Sequence, residues 1–199
     1  MKRKVLIAVP FMVVLAVLIT FLCVRTGTGM AQDAQTIGED VIYVGEHITV
    51  TQSDYDSYLE RAQLLNPDQD MTQVALDNIA MREIWCYLGQ EAGIPDDDEA
   101  FAAWFKQYRE TVESAENYKD VLKYLGGTEM TAEEYWQWAE TDEGFRKDWY
   151  ATLYPAQLQE EFQAQQSDEM LHTTWNDYLR TYKEKALENE HLKKVDRTE

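Results

Sequence analysis

The apolar residues of the chain form one continuous run near its start and helical stripes further on. Residues 5–24 carry no charge over twenty positions. A helix of that length spans the ~30 Å hydrocarbon layer of a bilayer at ~1.5 Å per residue. Lys2, Arg3 and Lys4 precede the run, and the positive-inside tendency keeps them on the inner side. The pattern predicts a transmembrane or signal segment over residues 1–25, with the rest of the chain facing outward.

Two interpretations of this segment stay open. Its length favours an uncleaved signal-anchor, because a cleavable signal has an apolar region of only about 7–15 residues. Gly29, Met30 and Ala31 nevertheless offer a small-residue cleavage site. The protein is therefore either a single-pass membrane protein or, if cut near Ala31, a secreted one. Residues 26–38 are small and polar and are interpreted as a flexible linker.

The body that follows begins with a short β-prone segment. Val41 to Val44 ends at Gly45, and the run resumes at Ile48 to Val50, which predicts one or two short strands. At the other end of the body, residues 192–195 are interpreted as a short strand that returns to pair with Val41 to Val44. The two ends of the body are therefore expected to meet.

The remaining residues show helical periodicity. Thr51 with Asp54 three positions on is typical of an N-cap, and a second helix is expected from Met71 to Ala92, stopped by Gly93. Two further helices are expected, one after the acidic turn at 96–99 and one over 118–125. Three more are expected: one after a capping box at 131–134, one after residue 141 with a restart near Pro155, and one from Ser167. The fold class is predicted to be mainly α: a helical domain over 39–166, completed by a helix and strand over 167–199.

Charge is distributed unevenly along the chain. Residues 1–25 hold four bases and no acid, whereas residues 26–199 hold 14 bases and 37 acids, which gives a stem of +4 and a body of −23. An acidic body repels phosphate backbones and anionic lipid headgroups, so the composition excludes nucleic acid as a partner and leaves membrane contact to the stem. Two cysteines cannot build a disulfide framework, and Cys86, within an amphipathic helix, is interpreted as a buried apolar residue.

The many acids prompt a search for metal and catalytic sites. Residues 66–77 place ligand types at positions 1, 3 and 5 of an EF-hand loop, but Met71 replaces the required glycine and Asp77 the final glutamate. The acids at 96–99 are explained by a helix dipole. The three histidines are scattered, and no nucleophile motif is present. The sequence therefore predicts no metal, no cofactor and no catalytic residue.

Aromatic residues are concentrated in one part of the body. Residues 101–154 hold 13 of the 24 aromatics in the chain. One helical stripe of ~100° cannot bury neighbours such as Tyr135, Trp136 and Trp138, so some rings are expected to stay partly exposed and form a binding surface. The alternative is that all of them pack into a core. The candidate peptide-binding residues are Trp104, Phe105, Tyr108, Trp136, Trp138, Trp149 and Tyr150.

A succession of short motifs links the strands to the first helices. It runs through Val41 to Thr49, then Ser53-Asp54-Tyr55, then Ala75-Leu76 with Ile79, then Glu91-Ala92-Gly93-Ile94 before the acidic helix start. This succession resembles the N-terminal domain of SurA-like periplasmic chaperones and PrsA-like envelope foldases. The resemblance covers residues 41–99 by motif and extends to about residue 162 by helical layout. Residues 175–195 are similar to the closing helix and strand of that family.

The resemblance carries one departure that affects function. Members of the family commonly insert a parvulin-type prolyl isomerase domain before the closing helix, but only residues 163–167 separate the predicted helices here, and the paired histidines of a parvulin are missing. The resemblance therefore implies an extracytoplasmic chaperone without isomerase activity, which binds unfolded or exported polypeptides and is not an enzyme. The alternative is a non-catalytic adaptor or structural component of a cell-envelope complex.

Overall fold

The computed structural model describes residue 38 and residues 40–119, 121–122, 130–164 and 173–196. This part of the chain is mainly helical with one small sheet, in agreement with the predicted class. The predicted membrane segment at 1–25 lies outside the described residues. Within them, none of the helices combines the length and the apolar character that crossing a membrane requires.

The sheet joins the two ends of the body. Strands β1 (Val41–Val44) and β2 (Thr49–Thr51) form an antiparallel hairpin, and β3 (Lys193–Lys194) pairs with the other edge of β1. The strand order is therefore β2-β1-β3. The prediction that the C-terminal segment returns to the first strand is confirmed, with Val44 opposite Lys193.

Seven helices have both ends in the described ranges: α1 (Gln52–Leu65), α2 (Thr72–Glu91), α3 (Asp98–Glu113), α4 (Ala132–Thr141), α5 (Glu143–Tyr150), α6 (Leu153–Ala164) and α7 (Trp175–Glu190). Residues 118–119 and 121–122 are helical as well. Several begin and end where the sequence predicts. The Thr51 hydroxyl accepts the Asp54 N–H at 3.1 Å, and Thr131 with Glu134 forms a reciprocal capping box. Gly93 has φ 71°, the left-handed conformation that glycine adopts at little cost.

The restart predicted near Pro155 is present, and one predicted boundary is wrong. The break after α5 falls at Ala151 and Thr152, and Pro155 lies in the first turn of α6, where a missing N–H leaves no helical hydrogen bond unmade. The C-terminal helix begins at Trp175, because Thr174 has extended backbone and its hydroxyl accepts the Asp177 N–H at 3.2 Å. It does not begin at Ser167.

Helix α2 is the centre of the body. It contacts α1, α5, α6, α7 and β2, and its inward side chains Ala75, Ile79 and Ala80 are fully buried. A helix that is covered on several sides must be apolar around most of its surface, which the run from Ile79 to Cys86 largely satisfies.

A polar clasp fastens α7 to the β1–β2 turn. Glu190, the last residue of α7, is only 5% exposed. Its carboxylate accepts the His47 backbone N–H at 2.9 Å and lies 3.1 Å from Nδ1 of the same residue, while the Glu46 N–H donates to the Glu190 carbonyl at 3.0 Å. The His47 ring stacks on Tyr87 of α2 with centroids 4.6 Å apart. The clasp holds the closing helix against both the hairpin and the central helix.

Candidate functional site

The aromatic residues singled out by the sequence lie together where α3, α4 and α5 converge. The ring of Trp104 stacks on Tyr108 at 5.2 Å, and Phe105 meets the edge of Trp136 at 6.0 Å. Five of the seven candidate residues are between 2% and 7% exposed, namely Phe105, Tyr108, Trp136, Trp149 and Tyr150. These five side chains belong to the hydrophobic core of the body, and Phe105 is the one among them that also lines the cavity described below.

Trp136 and its neighbour Tyr135 are both buried because α4 is covered on two sides. It packs against both α3 and α5, so the consecutive rings of Tyr135 and Trp136 each find a separate apolar neighbourhood and both are 2% exposed. A stripe argument for one helix assumes a single covered face, and α4 does not meet that assumption. Trp138 and Trp104 are half-buried, which agrees with the expectation that some rings stay partly exposed.

A cavity of about 420 Å³ opens beside this aromatic cluster. We call it the α3 groove; it is lined by Asp98, Phe101, Ala102, Phe105, Lys106 and Arg109 of α3, Glu140 of α4 and Arg146 of α5. The residues from α3 occupy positions i, i+3, i+4, i+7, i+8 and i+11 counted from Asp98, so they share a single face of that helix. The volume lies within the range of sites for small ligands or a few side chains.

The α3 groove is apolar in its middle and charged at its ends. Phe101 and Phe105, which are 6% and 7% exposed, form the middle, and the Arg146 guanidinium lies 5.4 Å above the Phe101 ring. Arg146 also pairs with Asp96 and Asp98, and Arg109 pairs with Glu113. Three of the fourteen bases in the acidic body therefore line one cavity whose floor consists of aromatic rings.

Lys106 differs from the two arginines of the groove. It is exposed, and within the described part of the chain it has no ion-pair partner. Glu140, on the opposite wall, is likewise exposed and has no cation within ion-pair distance there. The groove can therefore offer one uncommitted ammonium group next to an aromatic floor, with a single uncommitted carboxylate facing it.

A buried ionic cluster joins α1, α2 and α5 beneath the aromatic core. Arg82 is 5% exposed, and its guanidinium donates to Glu83 at 2.7 Å and pairs with Asp54 at 2.9 Å, but reaches Asp148 only at 3.4 Å. Lys147 pairs with Glu83 at 2.6 Å. Asp148 is 2% exposed, and its Oδ2 atom has no hydrogen-bond partner among the described residues.

The environment of this cluster moves the pKa values of its carboxyl groups in opposite directions. Burial raises the pKa of Asp148 well above its usual range, because Arg82 is held more closely by two other carboxylates and compensates Asp148 incompletely. Burial alone would raise the pKa of Glu83 as well, but Arg82 and Lys147 outweigh it, and that pKa is lowered. The environment of the cluster therefore favours the protonated form of Asp148 more strongly than water does.

Sequence reasoning missed this cluster and correctly interpreted Cys86. Arg82 and Asp148 are separated by 66 positions, and in a chain with 37 acids no pattern distinguishes the one that folds against a buried arginine.

Cys86 is 5% exposed, and burial raises the pKa of its thiol to about 12, so it is a poor nucleophile. No group of three or more possible metal ligands converges within the described ranges.

Comparison with known proteins adds no relative to this picture: no family model, curated protein or solved structure matches the chain. Four features of the protein itself therefore bear on its function: the α3 groove, the aromatic core behind it, the acidic surface and the closed arrangement of the two ends of the body.

Proposed function

We propose that this protein is an extracytoplasmic chaperone-like protein that binds unfolded or exported polypeptides and has no isomerase activity. In this proposal residues 1–25 anchor it in the membrane, and the body belongs to the SurA-like and PrsA-like kind of helical domain. The observation that carries the proposal is the α3 groove, an aromatic-floored cavity in an otherwise strongly acidic body.

The arrangement of the chain ends supports the comparison with that kind of domain. Helix α7 and strand β3 return to the starting hairpin and are fastened there by Glu190, as expected for a closing segment. Only residues 165–174 connect α6 to α7. Ten residues are far too few for a folded domain, which needs about 50 or more. The proposal therefore includes the chaperone module and leaves out the isomerase.

The size of the groove defines how binding would work. A cavity of about 420 Å³ admits one or two large side chains, so the partner must present them on an extended, accessible segment. Unfolded chains do this, whereas folded proteins keep most large apolar side chains inside. The net negative charge of the body keeps the complex in solution and favours clients that carry basic stretches elsewhere.

The test is suppression of aggregation. The full chain, held in lipid nanodiscs, is mixed with an equimolar amount of a reduced and unfolded client, and light scattering is followed with time. The proposal predicts clear suppression relative to empty nanodiscs. Unchanged scattering, with the helical content of the body verified by circular dichroism, would contradict it. In a prolyl isomerisation assay the same protein should leave the uncatalysed rate unchanged.

The buried aromatic cluster favours a second candidate, an adaptor that holds one folded partner. If Trp85, Trp136 and Trp149 serve only to build a rigid body, recognition would use the outer surface. The two functions differ in promiscuity. A chaperone should retain many unrelated denatured peptides from a digest, whereas an adaptor should retain none of these and one native partner.

A further inference from the structure

The α3 groove combines an apolar floor and an uncommitted cation within one short stretch of a helix. Phe101 and Phe105 form the floor, and Lys106 is the residue next to Phe105. Arg109, one turn further on, reaches over the ring of Trp136 at 5.5 Å. An apolar side chain lying on the floor would therefore have positive charge beside it at the Lys106 end of the groove.

We infer that the α3 groove binds the C-terminal end of a polypeptide, with a large apolar or aromatic last side chain on Phe101 and Phe105 and its terminal carboxylate at Lys106. A terminal residue is the one place in a chain where an apolar side chain and a carboxylate are attached to the same carbon atom. This inference rests on the proposed function and specifies which part of a client the groove recognises.

The carboxylate is expected at this site because of charge complementarity. The body has 37 acids against 14 bases, so a carboxylate is repelled from most of its surface. The groove holds three of those bases against two acids, Asp98 and Glu140. Two of the bases are already paired, Arg146 with Asp96 and Asp98 and Arg109 with Glu113 and Glu133, so binding of the carboxylate depends on Lys106. Asp98 is already paired with Arg146, which leaves Lys106 as the available donor and Glu140 as the only uncommitted opposing charge among the residues that line the groove.

The charge of Lys106 also favours a chain end over the interior of a chain. An internal peptide backbone offers the ammonium group only neutral carbonyl oxygens. A chain end gains a charge-assisted hydrogen bond from the ammonium group, which is about twice as strong as a neutral one. Because the groove is open to water, salt should weaken this contribution.

The experiment compares two short neutral peptides that end in phenylalanine, one with a free carboxylate and one with a C-terminal amide. Binding to the full chain in lipid nanodiscs is measured by fluorescence anisotropy of an N-terminal dye. The free acid should bind about threefold to fivefold more tightly than the amide, as expected for an exposed ion pair, and high salt should reduce the difference. A third peptide that ends in serine with a free carboxylate should bind more weakly than both.

Three variants assign the effect to the groove. Lys106→Gln should bring the free acid to within about twofold of the amide, and Glu140→Gln should tighten binding of the free acid by about twofold to threefold, because it removes the opposing charge. Lys185→Gln makes the same change of charge on an exposed position of α7 that is not part of the groove, and it should change neither peptide. Ala102→Trp, at an exposed position, should fill the groove and weaken both peptides ending in phenylalanine.

The outcomes separate this inference from the proposed function. Equal binding of acid and amide, with Ala102→Trp still weakening both, would overturn the role of the carboxylate and leave polypeptide binding in place. Equal effects of Lys106→Gln and Lys185→Gln would overturn the assignment to Lys106. If none of the peptides binds and the unfolded client still aggregates, the proposed function itself fails.

Discussion

Replacing Gly45 with alanine should break the clasp that closes the body. A Cβ atom at this position would lie 2.6 Å from Oε2 of Glu190 and 3.2 Å from side-chain atoms of Ile48 and Leu192. A carbon and an oxygen atom in contact are normally about 3.3–3.6 Å apart, so the overlap with Glu190 is roughly 0.7 Å or more. The carboxylate has to move, although it is the acceptor that His47 uses.

The loss of stability follows from the hydrogen bonds that this movement of the Glu190 carboxylate breaks. A hydrogen bond to a charged group contributes about 1.5–3 kcal/mol, and Glu190 is held by both the N–H and the ring of His47. Alanine reduces the entropy of the unfolded chain, which returns about 0.4–1 kcal/mol where the backbone allows it. Gly45→Ala should therefore lower the free energy of unfolding by about 1–2 kcal/mol and the melting temperature by roughly 2–8 °C.

A double-mutant cycle provides the assay. Gly45→Ala is measured by urea unfolding in the native background and again in Glu190→Ala, which removes the overlapping oxygen. In the second background Gly45→Ala should cost less than about 0.5 kcal/mol, because only Ile48 and Leu192 remain close. The coupling free energy should be about 1 kcal/mol or more.

A matched control uses a second glycine, at which alanine is disfavoured by the backbone conformation and not by a neighbouring atom. Gly93 has φ 71° and no atom within 4 Å of an added Cβ, so Gly93→Ala should cost about 1 kcal/mol through backbone strain alone. That cost should be the same with and without Glu190. If Gly45→Ala shows its full cost in both backgrounds, as Gly93→Ala does, the carboxylate is not what confines Gly45, and the account of the clasp is wrong.

Three further predictions concern the interior. The pKa of Asp148 is raised in the folded state, so its protonated form contributes to the free energy of unfolding. This contribution is fully present below the pKa of Asp148 in the unfolded chain, near ~4, and is lost as pH rises through the pKa in the folded state. In urea unfolding, the stability of Asp148→Asn relative to the native chain should therefore increase from mildly acidic to neutral pH. A loss of about 3–5 kcal/mol at neutral pH would show that Asp148 forms an ionised pair instead. Ile79→Ala, at a fully buried site of α2, should cost about 2–5 kcal/mol in the same assay, and a cost below 1 kcal/mol would contradict its central position. Cys86 should take up no thiol reagent until the body unfolds, as measured by peptide mass spectrometry, and fast labelling of the native chain would contradict its burial.

Local signals in the sequence were sufficient for several helix ends and for the return strand. The caps at Thr51 and Thr131 and the stop at Gly93 each depend on a few neighbouring residues, so the chain specifies them without reference to tertiary packing. The strand at 193–194 was predicted from composition and position, and its pairing with β1 agrees with that prediction.

Features that depend on packing between distant elements could not be predicted. Tyr135 and Trp136 are both buried because α3 and α5 cover α4 from two sides, and a single-helix pattern contains no information about the second cover. The Asp148 cluster and the Glu190 clasp join residues 66 and 143 positions apart, respectively. The α3 groove likewise depends on how Glu140 and Arg146 are placed beside a face of α3.

The central claim, that the α3 groove holds unfolded polypeptide, is tested most directly by site-specific crosslinking. A photoreactive benzophenone amino acid is placed at position 102 in the groove and, in a second protein, at position 185 on the exposed face of α7. Each full chain is irradiated with an unfolded client and with the same client in its native state. Strong crosslinking of the unfolded client is expected from position 102 only. Equal yields from both positions, or equal yields with the native client, would contradict it.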